Sequence, residues 1–327
     1  MSPTDRRDLD GAPRVVSETE IRRHAVLGED ALAAVADGFV RLARGEVRQP
    51  PVLSLDLPEV HGEIDVKTAW VRGWDGFCVK LSTGFFDNPA RGLPSASGMM
   101  IVLDGATGRP RAVLLDGGVL TELRTAAAGA LAARTLARPD ASRAAILGAG
   151  SQARWQLRAL ATVRELQAVR VWARRPEAAD AYAREMADAC GVEVRVAATP
   201  AAAVADADVV VTTTPAREPL LEDGDLPAGV HVTAMGADGA GKRELAPETL
   251  ERADVLVVDD LAQSRRIGEL QGVRQDRASG AVELGAVLAG DAPGRRDAAQ
   301  RTVCDLTGTG VQDTAIARWL LRRLEAG

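Results

Sequence analysis

The spacing of apolar residues changes character along the chain. From Asp30 they recur every three or four positions, which predicts a helix that ends near Gly45. Between residues 52 and 115 the apolar runs are short and β-type, separated by Gly, Pro, Asp and Asn. These runs are Val66–Val71, Phe77–Leu81, Met99–Leu103 and Ala112–Leu115. An Ala-rich helix over Thr121–Ala137 follows. This half of the chain is predicted to be an α+β region around a mostly antiparallel sheet.

From Ser142 onward, apolar strands alternate with amphipathic helical segments. The predicted strands are Ala144–Leu147, Ala168–Trp172, Val192–Ala197, Asp208–Thr213, Val230–Ala234 and Asp254–Val258. Helices are predicted after Ser151, over Pro176–Ala189 and over Val311–Leu324. Such alternation predicts a parallel sheet covered by helices on both faces. The fold class is therefore α/β: a Rossmann-type doubly wound parallel sheet plus an N-terminal α+β domain.

Composition and charge narrow the class of protein. The chain of 327 residues has 46% apolar and 26% charged residues, as globular proteins do, and its net charge of −6 includes no basic block that would suit a nucleic acid. No apolar run approaches the ~18 residues of a membrane span. Residues 1–13 are polar and lack the apolar core of a signal peptide, so they are predicted to be a disordered leader and the protein to be cytoplasmic. Three scattered cysteines and three scattered histidines indicate no metal site.

The sharpest motif is Gly148–Ala153, which directly follows the apolar strand Ala145–Leu147 and precedes a helix. Gly148 permits a tight turn, Gly150 lets the backbone approach a pyrophosphate, and the small Ala153 allows close packing of helix and strand. The helix N-terminus offers free N–H groups to the anion. A glycine turn without a ligand is the alternative, but the strand–turn–helix context favours a dinucleotide site.

The end of the second strand bears on the choice of cofactor. An NAD site usually places Asp or Glu there to bind the ribose hydroxyls. Here Trp172 is followed by Ala173, Arg174 and Arg175, with no acid. Two guanidinium groups suit a 2′-phosphate, so NADP(H) is favoured and NAD(H) remains possible. Surface arginines without a ligand are the alternative.

Several motifs in order resemble the ornithine cyclodeaminase/μ-crystallin family. Besides Gly148–Ala153, they are Leu120–Ala127 and Met235–Lys242. The segments Asp65–Ala69, Gly84–Pro89 and Asp305–Asp313 look most like the ectoine-utilisation branch of that family. The resemblance covers nearly the whole chain beyond the leader. It implies a substrate-binding and dimerisation domain over residues 14–137 and 308–327, and a dinucleotide-binding domain over residues 138–307.

The resemblance also implies roles for particular residues. Arg48, Lys80 and Arg124 fall at the cationic positions around the substrate carboxylate, and Asp238 falls at the position of the catalytic acid or base. Lys80 is a second catalytic candidate, Arg124 also lies near the cofactor, and Gly310 belongs to the substrate site. The positions that line the dinucleotide are Ser95, Ser151, Gln152, Thr213, Met235 and Thr309.

The residue types fit that chemistry. Arginine binds a carboxylate with a planar fork and lysine adds a point charge, while a carboxylate beside the reacting nitrogen can exchange its proton. One departure from the family concerns Asp65 and Lys67, which share a strand face because side chains alternate. They are predicted to belong to the substrate site, where they either form an ion pair or let Lys67 bind a second substrate carboxylate. Both interpretations argue against ornithine as the substrate.

Three functions remain open from the sequence. The leading hypothesis is an NAD(P)-dependent imine reductase or amino-acid dehydrogenase acting on a small amino or imino acid. A cyclodeaminase, which returns the hydride to a ring imine and releases ammonia, is the second. The third is a non-catalytic, NADP-dependent binding protein. The β-rich segment has too few helices to cover both faces of its sheet, which predicts a homodimer.

Overall fold

The computed structural model describes residues 12–326. Residues 1–11 of the predicted leader lie outside the described part, and Arg14 already belongs to a strand. Numbered along the chain, the strands are β1 (Arg14–Val16), β2 (Val47–Arg48), β3 (Leu53–Leu57), β4 (Gly62–Val71), β5 (Gly76–Phe85), β6 (Ala96–Asp104), β7 (Pro110–Leu114), β8 (Arg143–Leu147), β9 (Ala168–Trp172), β10 (Val194–Val196), β11 (Val209–Thr212), β12 (His231–Ala234), β13 (Val255–Val258), β14 (Val282–Glu283) and β15 (Thr302–Asp305).

The helices are numbered in the same way. They are α1 (Glu18–His24), α2 (Glu29–Ala43), α3 (Val119–Leu136), α4 (Ser151–Val163), α5 (Pro176–Cys190), α6 (Pro200–Val204), α7 (Pro247–Glu251), α8 (Leu261–Ile267), α9 (Gln275–Ala278), α10 (Leu284–Leu288) and α11 (Gly310–Ala326). Short 3₁₀ helices span Pro58–Val60, Asn88–Arg91, Asp223–Asp225 and Glu269–Gly272. Within residues 12–326, no helix is long and apolar enough to cross a membrane.

The chain divides into two compact units. Among the described residues, the first contains 12–26, 45–123 and 310–326, and the second contains 27–44 and 124–309. This division differs from the predicted domains, which put α2 and all of α3 with the first unit. Phe39 of α2 is buried in one cluster with the alanines of α3 and with Leu284 of α10. A Cβ on Gly285 would clash with the Phe39 backbone, so α2 and α10 touch directly and α2 belongs to the second unit.

The first unit is built on a seven-stranded sheet in the order β1-β7-β6-β5-β4-β2, with β3 also paired to β4. Only β1 pairs in parallel, with β7, so the prediction of a mostly antiparallel sheet is confirmed. One buried row of facing residues runs across the strands: Lys67, Lys80, Met100, Leu114 and Val16. Helix α11 covers this face, where the Thr314 hydroxyl accepts from the N–H of Cys78 (3.1 Å) and donates to the carbonyl of Ala69 (2.8 Å).

The second unit is built on an eight-stranded sheet in the order β10-β9-β8-β11-β12-β15-β13-β14, and every pair in it is parallel. Successive residues of β8 enter opposite cores: Ala144 and Ile146 join one apolar cluster, Ala145 and Leu147 the other. Burial on both faces explains why these strands are continuous apolar runs. The predicted α/β fold class, with a doubly wound parallel sheet, is confirmed.

Candidate active site

The glycine turn lies where the strand order of the second unit reverses. From β8 the chain continues to β9 and β10 on one side of the sheet and later to β11 and β12 on the other. Ligands of doubly wound sheets bind at such a point. Gly148 has a φ of 124°, and a Cβ there would clash with the Thr213 hydroxyl, so only glycine fits. A Cβ on Gly150 would meet no described atom within 4 Å, which leaves the N-terminus of α4 open to an anion.

Neighbouring groups hold this turn in place. The N–H of Gly148 donates to the carbonyl of Trp172 at the end of β9 (2.8 Å). The Arg154 guanidinium donates from Nη1 to the carbonyls of Ala149 (2.5 Å) and Gly150 (3.1 Å), and its Nε donates to Glu185 (2.7 Å). Sequence reasoning missed Arg154. Its place in the first turn of α4, four residues after Gly150, was the available signal.

The other predicted dinucleotide residues of the second unit follow neighbouring strands. Thr213 comes directly after β11, Met235 directly after β12, and Thr309 lies beyond β15. Because these strands are parallel and adjacent, their carboxyl ends meet at the same edge of the sheet as the glycine turn. Ser151 is exposed at the start of α4, and the Gln152 side chain accepts from Gln156 Nε2 (3.2 Å).

The remaining predicted cofactor residues lie after β9 and before β6. Ala173 is half-buried, and Arg174 and Arg175 beside it have exposed side chains at the start of α5. Ser95 belongs to the first unit, where it is exposed in the segment before β6. The arginines thus follow β9 directly, and Ser95 lies on a separate element of the first unit.

Asp238 lies in the loop after β12 and is 46% exposed. Its Oδ1 accepts from Lys242 Nζ (2.7 Å), four residues on. Its backbone N–H donates to the carbonyl of Gly236 (3.2 Å), which makes the loop a tight turn. The loop therefore presents the Asp238 carboxyl group to solvent at the same sheet edge as the glycine turn. Lys242 is the last residue of the motif Met235–Lys242, and the sequence alone predicts no role for it.

Arg124 is buried at 6% exposure and lies on the backbone of Gly308. Gly308 has a φ of 80°, and a Cβ there would come within 2.8 Å of the Arg124 guanidinium. Asp259 holds this strand end, because it accepts from the N–H of Gly308 (2.7 Å) and from the Thr307 hydroxyl (2.8 Å). Burial raises the pKa of Asp259 to about 6. Arg124 therefore lies against the loop that contains Thr309, and Asp259 holds this loop through its two hydrogen bonds.

The first unit contains a buried pair of lysines. Lys67 and Lys80 face each other in register across β4 and β5, at 6% and 2% exposure. Lys80 Nζ lies 3.1 Å and 3.0 Å from the two carboxylate oxygens of Asp313, which is completely buried in α11. Asp116 is also buried close enough for its charge to interact with Lys80, and desolvation raises its pKa. The Asp313 carboxylate therefore compensates the charge that Lys80 brings into this buried row.

Other predicted substrate residues are placed differently. The Asp65 carboxylate accepts from the Ser54 hydroxyl (2.6 Å), and its ion pair with Lys67 stays a prediction. Ser54 faces Asp65 directly across β3 and β4. Arg48 is exposed and faces Trp70, whose side chain points to the face opposite Lys67.

Gly310 begins α11 and packs against the backbone of β4. A Cβ on Gly310 would lie 2.5 Å from the carbonyl oxygen of Thr68. The lack of a side chain therefore lets the first turn of α11 approach the sheet, with Asp313 three residues further on. Within residues 12–326, no group of three His, Cys, Asp or Glu side chains could hold a metal ion.

A doubly wound parallel sheet with a glycine turn at its reversal point defines a dinucleotide-binding class of fold. The comparisons with known proteins are more specific. The chain matches the ornithine cyclodeaminase/mu-crystallin family over residues 12–327 and belongs to that family, which confirms the resemblance. The detail of the ectoine-utilisation branch stays a prediction.

Three similar proteins illustrate the range of the family. A protein of Rhizobium meliloti (strain 1021) named as a dehydrogenase is 49% identical over 317 residues, which cover 96% of each chain. The Thermococcus litoralis Δ1-pyrroline-2-carboxylate reductase, solved with NADH and L-proline, superposes with a TM-score of 0.89 at 28% identity, over 96% of this chain and 98% of that one. An archaeal alanine dehydrogenase dimer with bound NAD gives 0.87 at 31% identity, over 96% of each chain.

Proposed function

We propose that the protein is an NAD(P)-dependent oxidoreductase that transfers hydride between a nicotinamide dinucleotide and the α-carbon of a small amino or imino acid. The observation that carries this proposal is the glycine turn Gly148–Gly150 at the reversal point of the parallel sheet. The similar structures with NADH and L-proline, and with NAD, support the reaction class.

Besides the cofactor, the reaction needs groups that bind the substrate carboxylate and a group that transfers the proton of the reacting nitrogen. The bound nicotinamide supplies or accepts the hydride. Lys80 and Arg124 stay the proposed partners of the substrate carboxylate, because a buried cation forms a strong charge-assisted hydrogen bond with it. Asp238, which accepts a hydrogen bond from Lys242, is proposed to hold the proton of the reacting nitrogen. This proton transfer is the step that the chain itself catalyses.

The proposal is tested by measuring whether the nicotinamide cofactor is consumed during the reaction. The protein is incubated with NADH or NADPH and with imines formed from α-keto acids and amines, including cyclic imines. A reductase consumes nicotinamide absorbance in step with the amine product. A cyclodeaminase releases ammonia from a diamino acid with no net change in that absorbance. Dinucleotide binding without turnover of any substrate would contradict the proposal and favour the binding-protein alternative.

We further propose that NADPH is the preferred cofactor, because Arg174 and Arg175 stand exposed after β9, where an acid would select NADH. Replacing Arg174 by Asp should remove a charge-assisted contact with the 2′-phosphate. Such a contact contributes ~1.5–3 kcal/mol, so the Kd for NADPH should rise roughly 10- to 150-fold. The Kd for NADH should change little. Titration of nicotinamide fluorescence with both cofactors measures the difference.

Arg184→Asp is the matched control for this variant. Arg184 is an exposed arginine of α5, so its replacement changes the net charge equally, away from the end of β9. The control should bind both cofactors as the parent does. Equal Kd values for NADPH and NADH in the parent would remove the basis for the preference.

We also propose a two-fold homodimer through the uncovered face of the first unit. A row of facing residues on that face is apolar apart from one threonine: Thr68, Val79, Ile101, Val113 and Val15. All five are partly or fully exposed, and Val15 is 63% exposed. A sheet face of this kind is what an isologous interface would bury. The similar alanine dehydrogenase, which is a dimer, supports a second copy of the chain as the occupant.

Light scattering at micromolar concentration should therefore report twice the chain mass of 34.3 kDa. Ile101→Lys places a charge at the centre of the face and should shift the particle to 34.3 kDa, because a desolvated, unpaired charge opposes association. Val196→Lys, on the edge strand β10 of the second unit, is the control and should stay dimeric. A parent that scatters as a monomer would contradict the proposed assembly.

A further inference from the structure

Glu244 joins two loops of the second unit through one carboxylate. It is completely buried and accepts four hydrogen bonds. Three come from the end of β11: the Thr212 hydroxyl (2.6 Å), the Thr214 N–H (2.6 Å) and the Thr214 hydroxyl (2.7 Å). The fourth comes from the N–H of Gly236 after β12 (2.7 Å). A carboxylate can accept about four such bonds, so this one is saturated.

The two loops carry the proposed cofactor and proton-transfer residues. Thr213 lies between the two threonines and packs against Gly148 of the glycine turn. Gly236 lies between Met235 and Asp238. A Cβ on Gly236 would clash with the Thr214 backbone and lie 2.6 Å from the Glu244 carboxyl carbon. The two loops therefore touch, and the Glu244 carboxylate connects them through hydrogen bonds.

Glu244 is itself held firmly. Its N–H donates to Glu269 Oε1 (2.8 Å), and the next N–H, of Leu245, donates to Oε2 (3.3 Å). The N–H of Glu269 in turn donates to Asp305 Oδ2 (3.0 Å) in β15. Desolvation raises the pKa of Glu244, and the hydrogen bonds from Thr212, Thr214 and Gly236 oppose that effect. A group anchored at both ends transmits its position to the loops it binds.

We propose that Glu244 is a positioning residue for the dinucleotide: it fixes the spacing between the loop that packs on the glycine turn and the loop that presents Asp238. Glu244 would touch neither cofactor nor substrate and would act through Thr213 and Gly236. This inference rests on the proposed dinucleotide function. No role could be predicted for Glu244 from the sequence, where it is a single acid directly before the apolar Leu245.

Glu244→Gln tests the inference, because glutamine keeps the shape but brings an amide NH₂ to a site where only donors point. At least one of the four donors loses its acceptor, so the loops should separate. The Kd for NADPH or NADH, measured well below the melting temperature on protein shown by circular dichroism to be folded, should rise tenfold or more. Glu248→Gln, an exposed change on α7, is the matched control and should bind as the parent does.

A milder variant keeps the test decisive if Glu244→Gln does not fold. Thr214→Val removes one of the four donors and should raise the same Kd severalfold, whereas Thr162→Val, which removes a hydroxyl bonded within α4, should not. A lower melting temperature with Kd within twofold of the parent would reduce Glu244 to a structural residue and overturn the inference. A parent that binds no dinucleotide would overturn the proposed function as well, which distinguishes the two failures.

Discussion

Replacing Asp238 by Asn should lower turnover by ~10²–10⁴, the usual range for a positioned acid or base. Asparagine keeps the shape of the side chain but cannot take up the proton of the reacting nitrogen. The Kd for the dinucleotide should change little, because the glycine turn follows a different strand. The melting temperature should also change little, because Asp238 is 46% exposed and its ion pair with Lys242 is of the kind that contributes ~0–1 kcal/mol.

Three measurements on the same variant separate catalysis from structure: kcat, cofactor Kd and melting temperature. Asp276→Asn is the matched control, since Asp276 forms a similar exposed ion pair with Arg274 (2.8 Å). The control should leave all three values at those of the parent. If Asp238→Asn keeps kcat within about threefold, the catalytic assignment is wrong and Lys80 becomes the first candidate for the acid.

Replacing Lys80 by Met should destabilise the protein and impair substrate recognition together. Asp313 would lose its ion pair with Lys80 while completely buried, and breaking a buried pair in this way costs ~3–5 kcal/mol. Relief of the repulsion between Lys67 and Lys80 offsets part of this, so we expect about 3 kcal/mol of unfolding free energy to be lost. The value of kcat/KM should fall about 10- to 100-fold with the charge-assisted bond to the carboxylate.

The double variant Lys80→Met with Asp313→Leu separates the two effects. It removes the stranded carboxylate as well, and apolar pairs often replace buried ion pairs without loss of stability. Denaturant unfolding should therefore recover most of the lost free energy, while kcat/KM stays low. Recovery of kcat/KM along with stability would show that Lys80 supports only the fold. Arg274→Met, in the exposed pair, should leave both quantities unchanged.

Most strands of the second unit, together with α4 and α5, could be predicted from the sequence because the parallel sheet is buried on both faces, whereas the short helices α6 to α10 and strand β14 were not predicted. Continuous apolar runs such as Ala144–Leu147 have no other stable environment in a chain of this kind. Strand β15 was missed because Thr302 and Asp305 at its ends are polar. Its place between β12 and β13 supplies their partners: the Thr302 hydroxyl bonds His231 (2.9 Å), and Asp305 bonds the N–H of Glu269 (3.0 Å).

Residues of the candidate site could be predicted only where a short sequence motif contains the groups that act together. The glycine turn is such a case. The partner of Lys80 is not, because Asp313 lies 233 residues further along the chain and only the packing of α11 on β5 brings the two together. Alternation placed Asp65 and Lys67 on one face correctly. It could not show that Ser54, on another strand, would donate a hydrogen bond to the Asp65 carboxylate.

The ion pair between Lys80 and Asp313 has a consequence for synthesis. The two residues are separated by 233 positions, a span that includes nearly all of the second unit. Because chains elongate at ~5–20 residues per second, Lys80 is synthesised roughly 12–47 s before Asp313. During that interval the face later covered by α11 is open to water, where charged lysines are fully solvated. Lys67 and Lys80 therefore interrupt the apolar surface of this sheet face before α11 covers it, which reduces the apolar area exposed to other nascent chains. Completion of the first unit follows translation of the second, and arrival of α11 is its closing step.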